Sequence, residues 1–292
     1  MAFTLATYNV LDLFDPDDRE KIEALASVVR ALDADVLALQ EIGSRAALDA
    51  VLHRADRGYG EPFVARADKR GIACAIVSRL PVLGRRALDA DVLPFPVLHE
   101  GDPAPFGARL RLRRAIPVVR IDAGALGVFS LLSTHWKSGR PSPLVAPDGT
   151  EREPQTAAER AEVDLRSLVQ RASEALFLRR AVDELLAAAP GESVVVAGDL
   201  NDVSGSVPVR VLAGEGEGAL VDAIFRVPDA ERVSVLHGGR PAAIDHVLFA
   251  GPLAKRVQSA RFENTGLVDP DALPEGSRVL PSDHAPLVVR LT

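Results

Sequence analysis

The stretch Phe3-Thr-Leu-Ala-Thr-Tyr-Asn9 alternates and is rich in β-formers, and Asp35-Val-Leu-Ala-Leu-Gln-Glu41 is a short apolar run closed by two polar residues. Both read as strands, the first ending at Asn9 and the second at Gln40-Glu41. Between them, Asp17 and Asp18 stand where an N-cap belongs, and Ile22, Leu25, Val29 and Leu32 recur at helical spacing. Ala47, Leu48, Val51 and Leu52 form the stripe of a second helix. A strand–helix–strand opening predicts an α/β sandwich rather than a helical bundle or an all-β barrel.

Outward from this opening the pattern turns to strands. Residues 63–64, 72–78, 82–88, 108–121 and 126–135 read as extended, with turns at Leu80-Pro81 and Ala123-Gly124 and a proline-rich surface loop over 91–107. Residues 136–155 are dense in Pro, Gly and Ser and read as one long loop, a length more often functional than structural. Thr156 and Glu159 fit a capping box. They open a long helix with Leu165, Leu168, Val169, Ala172, Leu176, Val182 and Leu186 on one face, ending before Pro190-Gly191. A buried strand follows at 193–197, then a short helix at 206–212 and strands around Val233, 244–249, 257–262 and 287–291. No fixed-period repeat and no linker divides the chain, so residues 1–292 are expected to form a single domain.

Composition bounds the function. With 292 residues, 47% hydrophobic and 26% charged, and a mean hydropathy of +0.10, the chain is of ordinary globular type. A chain this long buries about three quarters of its unfolded surface and needs no disulfide or metal staple to fold. Disordered, collagen-like and disulfide-framed classes are excluded. The 34 basic and 41 acidic residues give a net charge of −7, which argues against a protein that coats duplex DNA. It leaves room for an enzyme that holds one or two phosphates through a metal, because the metal brings its own charge. The single cysteine, Cys74, reads as a small hydrophobe on a strand. No basic-then-apolar leader opens the chain and no uncharged run approaches the ~20 residues of a membrane span, so a cytoplasmic protein is expected.

Polar residues recur at the ends of apolar strands, where α/β sheets place their ligands. They are Asn9, Glu41, His135, the pair Asp199 and Asn201, Asp245, and Asp283-His284. Taken singly, a strand-ending Asp or Asn is a turn former, and Glu41 is an acid at a helix start. Carboxylates gathered with an amide suit a hard divalent cation such as Mg²⁺. Histidines beside them handle protons or steady a phosphoryl oxygen. In an extended chain Asp199 and Asn201 point the same way about 7 Å apart. His246, next to Asp245, faces the other way and reads as a packing residue, and His53, His99 and His237 as incidental.

In order along the chain, these residues resemble the endonuclease/exonuclease/phosphatase superfamily, which includes pancreatic-type deoxyribonucleases, apurinic endonucleases, inositol-polyphosphate phosphatases and bacterial sphingomyelinases. The resemblance runs from Tyr8-Asn-Val10 through Leu39-Gln-Glu41, Ser133-Thr-His-Trp-Lys-Ser138, Gly198-Asp-Leu-Asn-Asp202 and Ile244-Asp-His246 to Ser282-Asp-His284. It implies a four-layer α/β sandwich with two central mixed β-sheets flanked by helices. It also implies that Glu41 is the principal ligand of Mg²⁺ (or Mn²⁺), with Asn9 and Asp283 close by. Asp199 would activate water, Asn201 hold the scissile phosphate, and His284 contact a non-bridging oxygen, oriented by Asp245. His135 would stand near the leaving group or the phosphate. The chain departs from the pattern at Leu11-Asp12, where related bacterial members often carry an acid-Asn pair. Asp12 is either a water-mediated contact to the metal or a surface turn acid. Ser78-Arg79-Leu-Pro81 resembles a family turn and is left out of the site, and Trp136 adds no chemistry.

Arg109, Arg111 and Arg113 alternate with Leu110 and Leu112, so on a strand all three share one face, either simply solvated or an anion-binding rim. Three functions are in play. The first is a Mg²⁺-dependent phosphodiester hydrolase of nuclease type acting on DNA or RNA, against which stand the acidic balance and aromatics of only 4%. The second is the same chemistry on a small or lipid phosphoester of inositol phosphate or sphingomyelin type. The third is a catalytically silent binding module, disfavoured by the full polar set. No protein partner is inferred.

Overall fold

A computed structural model describes residues 2–292. In chain order the first half comprises β1 (Phe3–Leu13), α1 (Arg19–Leu32), β2 (Val36–Ile42), α2 (Arg45–Ala55), β3 (Phe63–Val64), β4 (Ala73–Ser78), β5 (Val82–Leu88), β6 (Ile116–Asp122) and β7 (Val128–His135). Then come β8 (Leu144–Val145), β9 (Glu151–Arg152), α3 (Ala157–Ala188), β10 (Ser193–Asp199), α4 (Val207–Ala213) and β11 (Val221–Asp222). The chain finishes with β12 (Val235–His237), β13 (Arg240–Ala242), β14 (Asp245–Ala250), β15 (Val257–Phe262) and β16 (Leu287–Leu291).

Two six-stranded mixed sheets carry the fold, in the orders β15-β16-β1-β2-β4-β3 and β11-β14-β10-β7-β6-β5. Their inner faces bury Leu5, Val36, Ile76 and Val289 against Ile121, Leu131, Val195 and Phe249. Phe3 and Phe129 stack across this layer with ring centroids 5.6 Å apart. The outer face of the first sheet is covered by α1 and α2 through Leu25, Val29, Leu48 and Val51. The outer face of the second is covered by α3 and α4 through Ala175, Leu178, Val182 and Leu212. Helices, sheet, sheet and helices make the four layers expected from the resemblance, because each sheet has two apolar faces to bury. The caps read from the sequence are in place, with Asp18 accepting from the Lys21 amide and Thr156 and Glu159 closing a capping box, while Ser206 caps the short helix instead of opening it. Among the described residues no helix is long and apolar enough to cross a membrane.

Several expectations shift. The strand expected from residue 108 begins only at Ile116, and Gly107–Arg109 is a 3₁₀ turn, so the three alternating arginines are not on a strand. Their alternation survives for a different reason: Leu110 and Leu112 are buried because this segment bonds to the loop before it, Leu93 N–H to Leu110 O and Leu112 N–H to Ala90 O. The 136–155 segment is not wholly loop, since β8 and β9 pair within it. Leu165 is 58% exposed, because the first turns of α3 run beyond the sheet and its packed face is Val163, Ala175, Leu178 and Val182.

Candidate active site

The carboxyl ends of both sheets' central strands meet at one edge. In the second sheet, parallel β7 and β10 put His135 opposite Asp199, and antiparallel β14 puts Asp245 opposite Asp199 on its other side. Three polar side chains expected from the sequence thus share one rung. Such a rung requires close strands, and Gly198 provides for it: at φ 150°, a Cβ there would lie 1.9 Å from the Thr134 carbonyl oxygen.

The first sheet contributes from its parallel pair, β1 and β2, whose register breaks after Asn9. Leu11, Asp12 and Glu41 all take left-handed backbone conformations, with φ of 52°, 47° and 63°. This conformation is uncommon for residues with a Cβ and is held by side-chain bonds to main-chain amides. Leu11 N–H donates to Asn9 Oδ1 (3.0 Å), and Asp12 N–H donates to Glu41 Oε2 (3.0 Å). The Asn9 amide nitrogen then donates within its own sheet to Glu41 Oε1 (3.1 Å) and across to the second sheet at Asp199 Oδ2 (3.1 Å). Asn9 therefore offers its NH₂ to the carboxylates rather than its oxygen.

After β10 the chain is not extended, so the side-by-side spacing of Asp199 and Asn201 needs correcting. Asn201 has φ 51°, and its N–H donates back to Asp199 Oδ1 (2.8 Å), an Asx turn. Its side-chain amide donates to the Trp136 carbonyl (3.2 Å), tying this turn to the end of β7. His284 comes from the loop before β16. Ser282 Oγ donates to the Asn9 carbonyl (2.7 Å) and accepts from His284 N–H (3.1 Å), which docks that loop on β1. His284 Nδ1 lies 2.8 Å from Asp245 Oδ2, and its Nε2 lies 3.8 Å from Asp199 Oδ2. His135 Nε2 is 3.4 Å from the same Asp199 oxygen and 4.0 Å from Glu41 Oε1.

Burial and neighbouring charges divide these groups by protonation. Burial pushes the Asp199 carboxyl up to about 7, with His284 and the bonds from Asn201 and Asn9 opposing it and Asp245 reinforcing it. For His284, burial favours the neutral ring, but Asp245 and Asp199 outweigh it and raise the imidazole to about 10. His135 is held neutral by burial and by the nearby Arg114, His284 and Arg70 charges. The cluster holds a carboxyl that exchanges its proton near neutrality, an imidazolium that can donate, and a neutral imidazole.

Asp283 lies beyond this hydrogen-bonded cluster. Its Oδ1 is buried without a partner. It shares with Asp12, Asp18 and Glu41 the field of Lys21, whose Nζ donates to the Pro281 carbonyl (2.6 Å). Burial holds the Lys21 ammonium down to about 8 even against those carboxylates. No group of three or more His, Cys, Asp or Glu is gathered closely enough to hold a metal among the described residues. The Glu41 carboxylate and the unpartnered Asp283 oxygen are donors of the type Mg²⁺ takes, since the ion keeps several waters and needs only one or two carboxylates.

The sequence missed several supporting groups. Gln40 accepts from Thr7 and donates to Ser133 Oγ (3.1 Å), a polar bridge between the sheets. Arg114 donates to the His135 carbonyl (2.7 Å) and pairs with Asp68 (3.0 Å). Lys21 carries a signal in hindsight, since it stands on the apolar stripe with Leu25 and Val29. His246 is buried as expected, yet it is not merely packing: Nδ1 meets Asp222 Oδ2 at 2.7 Å and Nε2 meets the Asp202 carbonyl at 3.0 Å.

Comparison with known proteins adds to this geometry. A truncated TDP2 of Caenorhabditis elegans superposes with a TM-score of 0.60 at 18% identity, covering 100% of this chain and 97% of that one. An endonuclease/exonuclease/phosphatase protein of Bacteroides vulgatus gives 0.60 at 16% identity, covering 100% and 99%. D. rerio TDP2, complexed with a single strand DNA product, gives 0.60 at 14% identity, covering 100% and 99%. No curated protein sequence matches. The family model described as Endonuclease/Exonuclease/phosphatase family matches residues 6–284, which take in every side chain of the cluster above. The chain belongs to the endonuclease/exonuclease/phosphatase family.

Proposed function

We propose that this protein is a Mg²⁺-dependent phosphodiester hydrolase acting on nucleic acid, with residues 1–292 working as one catalytic unit. Members of its family are generally hydrolases of phosphoric esters that use divalent metal ions. The observation that carries the reading is the convergence of Asp199 on three partners, Asn9 at 3.1 Å, His135 at 3.4 Å and His284 at 3.8 Å, inside a buried cluster. Phosphoester hydrolysis is among the slowest uncatalysed reactions, so a site for it gathers fixed charge around the developing oxyanion. Glu41 and Asp283 would hold the ion, which when bound polarises a phosphoryl oxygen as a Lewis acid.

The chain's own residues divide the remaining work. Asp199, with a pKa near neutrality, takes the proton of the attacking water. His284, kept as imidazolium, donates Nε2–H to a non-bridging oxygen, and Asp245 fixes the ring by accepting from Nδ1–H. The second amide hydrogen of Asn201, free of Trp136, orients the phosphate. Neutral His135 stands beside the leaving oxygen. Support for nucleic acid comes from the D. rerio neighbour, which holds a single strand DNA product. The −7 charge and the scarcity of aromatics favour the second reading, a small phosphoester.

Hydrolysis of plasmid DNA, a bis-aryl phosphodiester and an inositol phosphate, each with Mg²⁺ and with chelator, tests both. Cleavage of DNA supports the first reading and cleavage of the small esters alone the second. Asp199→Ala should abolish turnover with the fold intact. Full activity in that variant, or no hydrolysis of any ester by the wild type, would reject the site.

A further inference from the structure

The Asp245-His246 dipeptide works on both faces of β14. Neighbours on a strand point to opposite sides, so Asp245 faces His284 while His246 faces the turn that follows β10. That turn, residues 200–204, carries Asn201, whose side chain orients the phosphate in the reading above. Its shape is not the chain's default. Asn201 stands at φ 51°, a conformation that asparagine tolerates without preferring, so it has to be held there.

Beyond Asn201 the ties come from three other elements. Arg171 of α3 donates from Nε to Asp202 Oδ2 at 3.0 Å. His246 Nε2 lies 3.0 Å from the Asp202 carbonyl oxygen. His246 Nδ1 lies 2.7 Å from Asp222 Oδ2, at the end of β11, and Ser204 Oγ donates to that same oxygen at 3.1 Å. These contacts close a ring that runs from the Asp202 carbonyl through the imidazole and the Asp222 carboxylate to the Ser204 hydroxyl, and back along the chain through Val203. The other Asp222 oxygen accepts from Ile224 N–H at 3.1 Å, so the carboxylate cannot swing away without stranding that amide. His246 and Asp222 are both buried, and a bond broken here is not replaced by solvent.

Counting donors fixes the protons on the imidazole. The Asp202 carbonyl and the Asp222 carboxylate can only accept, and a ring between two acceptors satisfies both only when each nitrogen carries a hydrogen. A neutral ring would keep one hydrogen, which the carboxylate claims as the stronger acceptor, and would turn a bare Nε2 toward the Asp202 oxygen. Two lone pairs 3.0 Å apart repel, and the turn would move off. The surrounding charges suit the doubly protonated ring. Asp222 on β11 and Asp245 on its own strand favour it, while Arg171 on the α3 side is engaged by Asp202 and by the Ser138 carbonyl at 3.2 Å.

We propose that His246 is a positioning residue: its doubly protonated ring clamps the turn through the Asp202 carbonyl and so sets Asn201 for the scissile phosphate. The kinetic consequence rests on the hydrolase reading above, whereas the clamp itself does not. One dipeptide thus aligns two groups of the site, Asp245 the ring of His284 and His246 the amide of Asn201.

The test joins NMR of the protein without substrate to steady-state kinetics. At about pH 6, below the ordinary histidine value, both ring nitrogens of His246 should give imidazolium shifts, and a bare Nε2 overturns the proposal. In His246→Gln, amide hydrogen exchange at Asn201 and Val203 should speed up by about tenfold or more, while the ladder amides of β10 and β14 stay within about twofold of the wild type. Unchanged exchange in the turn, or an equal rise in turn and ladder, overturns the clamp. With the ester that the wild type hydrolyses, kcat/KM should fall by about tenfold or more with KM raised. A purely structural loss would shrink the folded fraction, lowering kcat at constant KM, so an unchanged KM overturns the link to Asn201. Should His246→Gln fail to fold, Ser204→Ala opens the ring at its partly exposed hydroxyl, and the same turn amides should exchange about fivefold faster, with no change again counting against the clamp. If the wild type hydrolyses no ester, the hydrolase reading fails, and the ring nitrogens and the exchange rates decide the clamp alone.

Discussion

Gly198→Ala should be among the most damaging single-methyl additions in this protein. The added Cβ would sit 1.9 Å from the Thr134 carbonyl oxygen, 2.9 Å from its carbon and 3.0 Å from the Thr134 nitrogen, where ordinary contact begins at 3.4 Å. The obstacle is backbone, so no side chain can swing aside. Relief requires about 1.5 Å of extra separation between strands that normally lie about 4.8 Å apart. The Gly198–Thr134 and Asp199–His135 rungs would open. Overpacking of this kind costs about 1–3 kcal/mol. Two ladder hydrogen bonds at about 1 kcal/mol each bring the total to about 3–5 kcal/mol. For a chain of this length that lowers the midpoint by about 5–8 °C. Because the opened rungs carry Asp199 and His135, kcat should fall by about 10² or more, the usual penalty for a 1 Å misplacement. Gly84→Ala serves as the control, since no atom lies within 4 Å of its added Cβ, and it should stay within about 0.5 kcal/mol of the wild type. Urea unfolding and steady-state kinetics on the three proteins decide the matter. A Gly198→Ala protein within 1 kcal/mol of the wild type and fully active would refute the claim that this glycine keeps β7 and β10 in contact.

Three further perturbations separate other parts of the design. Because the Asp202 carbonyl can only accept, His246 Nε2 must carry a proton, and Asp222, already accepting from Ser204 Oγ and Ile224 N–H, takes Nδ1–H. Although burial opposes it, Asp222 raises the His246 pKa, so the pair's contribution to stability is full below the unfolded value of about 6.5 and declines as pH rises through the folded value. Asp222→Asn should therefore cost about 3 kcal/mol or more by urea unfolding at pH 5.5 and less at pH 9, and a cost that is flat with pH would contradict the imidazolium assignment. Asp245→Asn replaces the carboxylate 2.8 Å from His284 Nδ1 by a neutral amide that no longer stabilises the imidazolium, and kcat should drop by about 10² or more with KM little changed. A rise in KM alone would assign Asp245 to substrate binding instead. Glu41→Gln removes one charge from the proposed ion site, so Mn²⁺ affinity measured by calorimetry should weaken by about tenfold or more, equal to about 1.4 kcal/mol. Unchanged affinity would take Glu41 off the ligand set.

What could be read from the sequence and what could not follow from the range over which each signal acts. Strand ends are local events, and Asn9, Glu41, His135 and Asp199 each announce themselves as polar residues closing an apolar run, while Asp245 opens one. The conformations at those ends are not announced. Glu41 and Asn201 adopt positive φ because the side chains around them bond main-chain amides, and such bonds form only when both strands are in place. The alternation at 109–113 misled for a related reason: a loop bonded to Ala90 and Leu93 buries every second residue as a strand does, without a ladder. His246 reads as packing because its carboxylate, Asp222, sits in a two-residue strand with no periodicity of its own.

Assembly of the site needs a further step that no local pattern contains. Asn9 reaches Asp199 only because two sheets pack with the carboxyl ends of β1, β2, β7 and β10 at one edge. Apolar inner faces bring the sheets together but leave their relative slide loosely determined, since Leu5, Val36, Val195 and Phe249 are interchangeable in chemistry if not in shape. The buried Gln40–Ser133 bond, with Ser133 in turn donating to the Leu39 carbonyl at 3.3 Å, is directional where the surrounding layer is not. A slide that broke it would strand two buried polar groups, at about 1–3 kcal/mol each. The polar bridge thus fixes the alignment on which the distances around Asp199 depend, and it stands beside the catalytic cluster rather than at the far end of the sheets, where slack of one ångström would matter least.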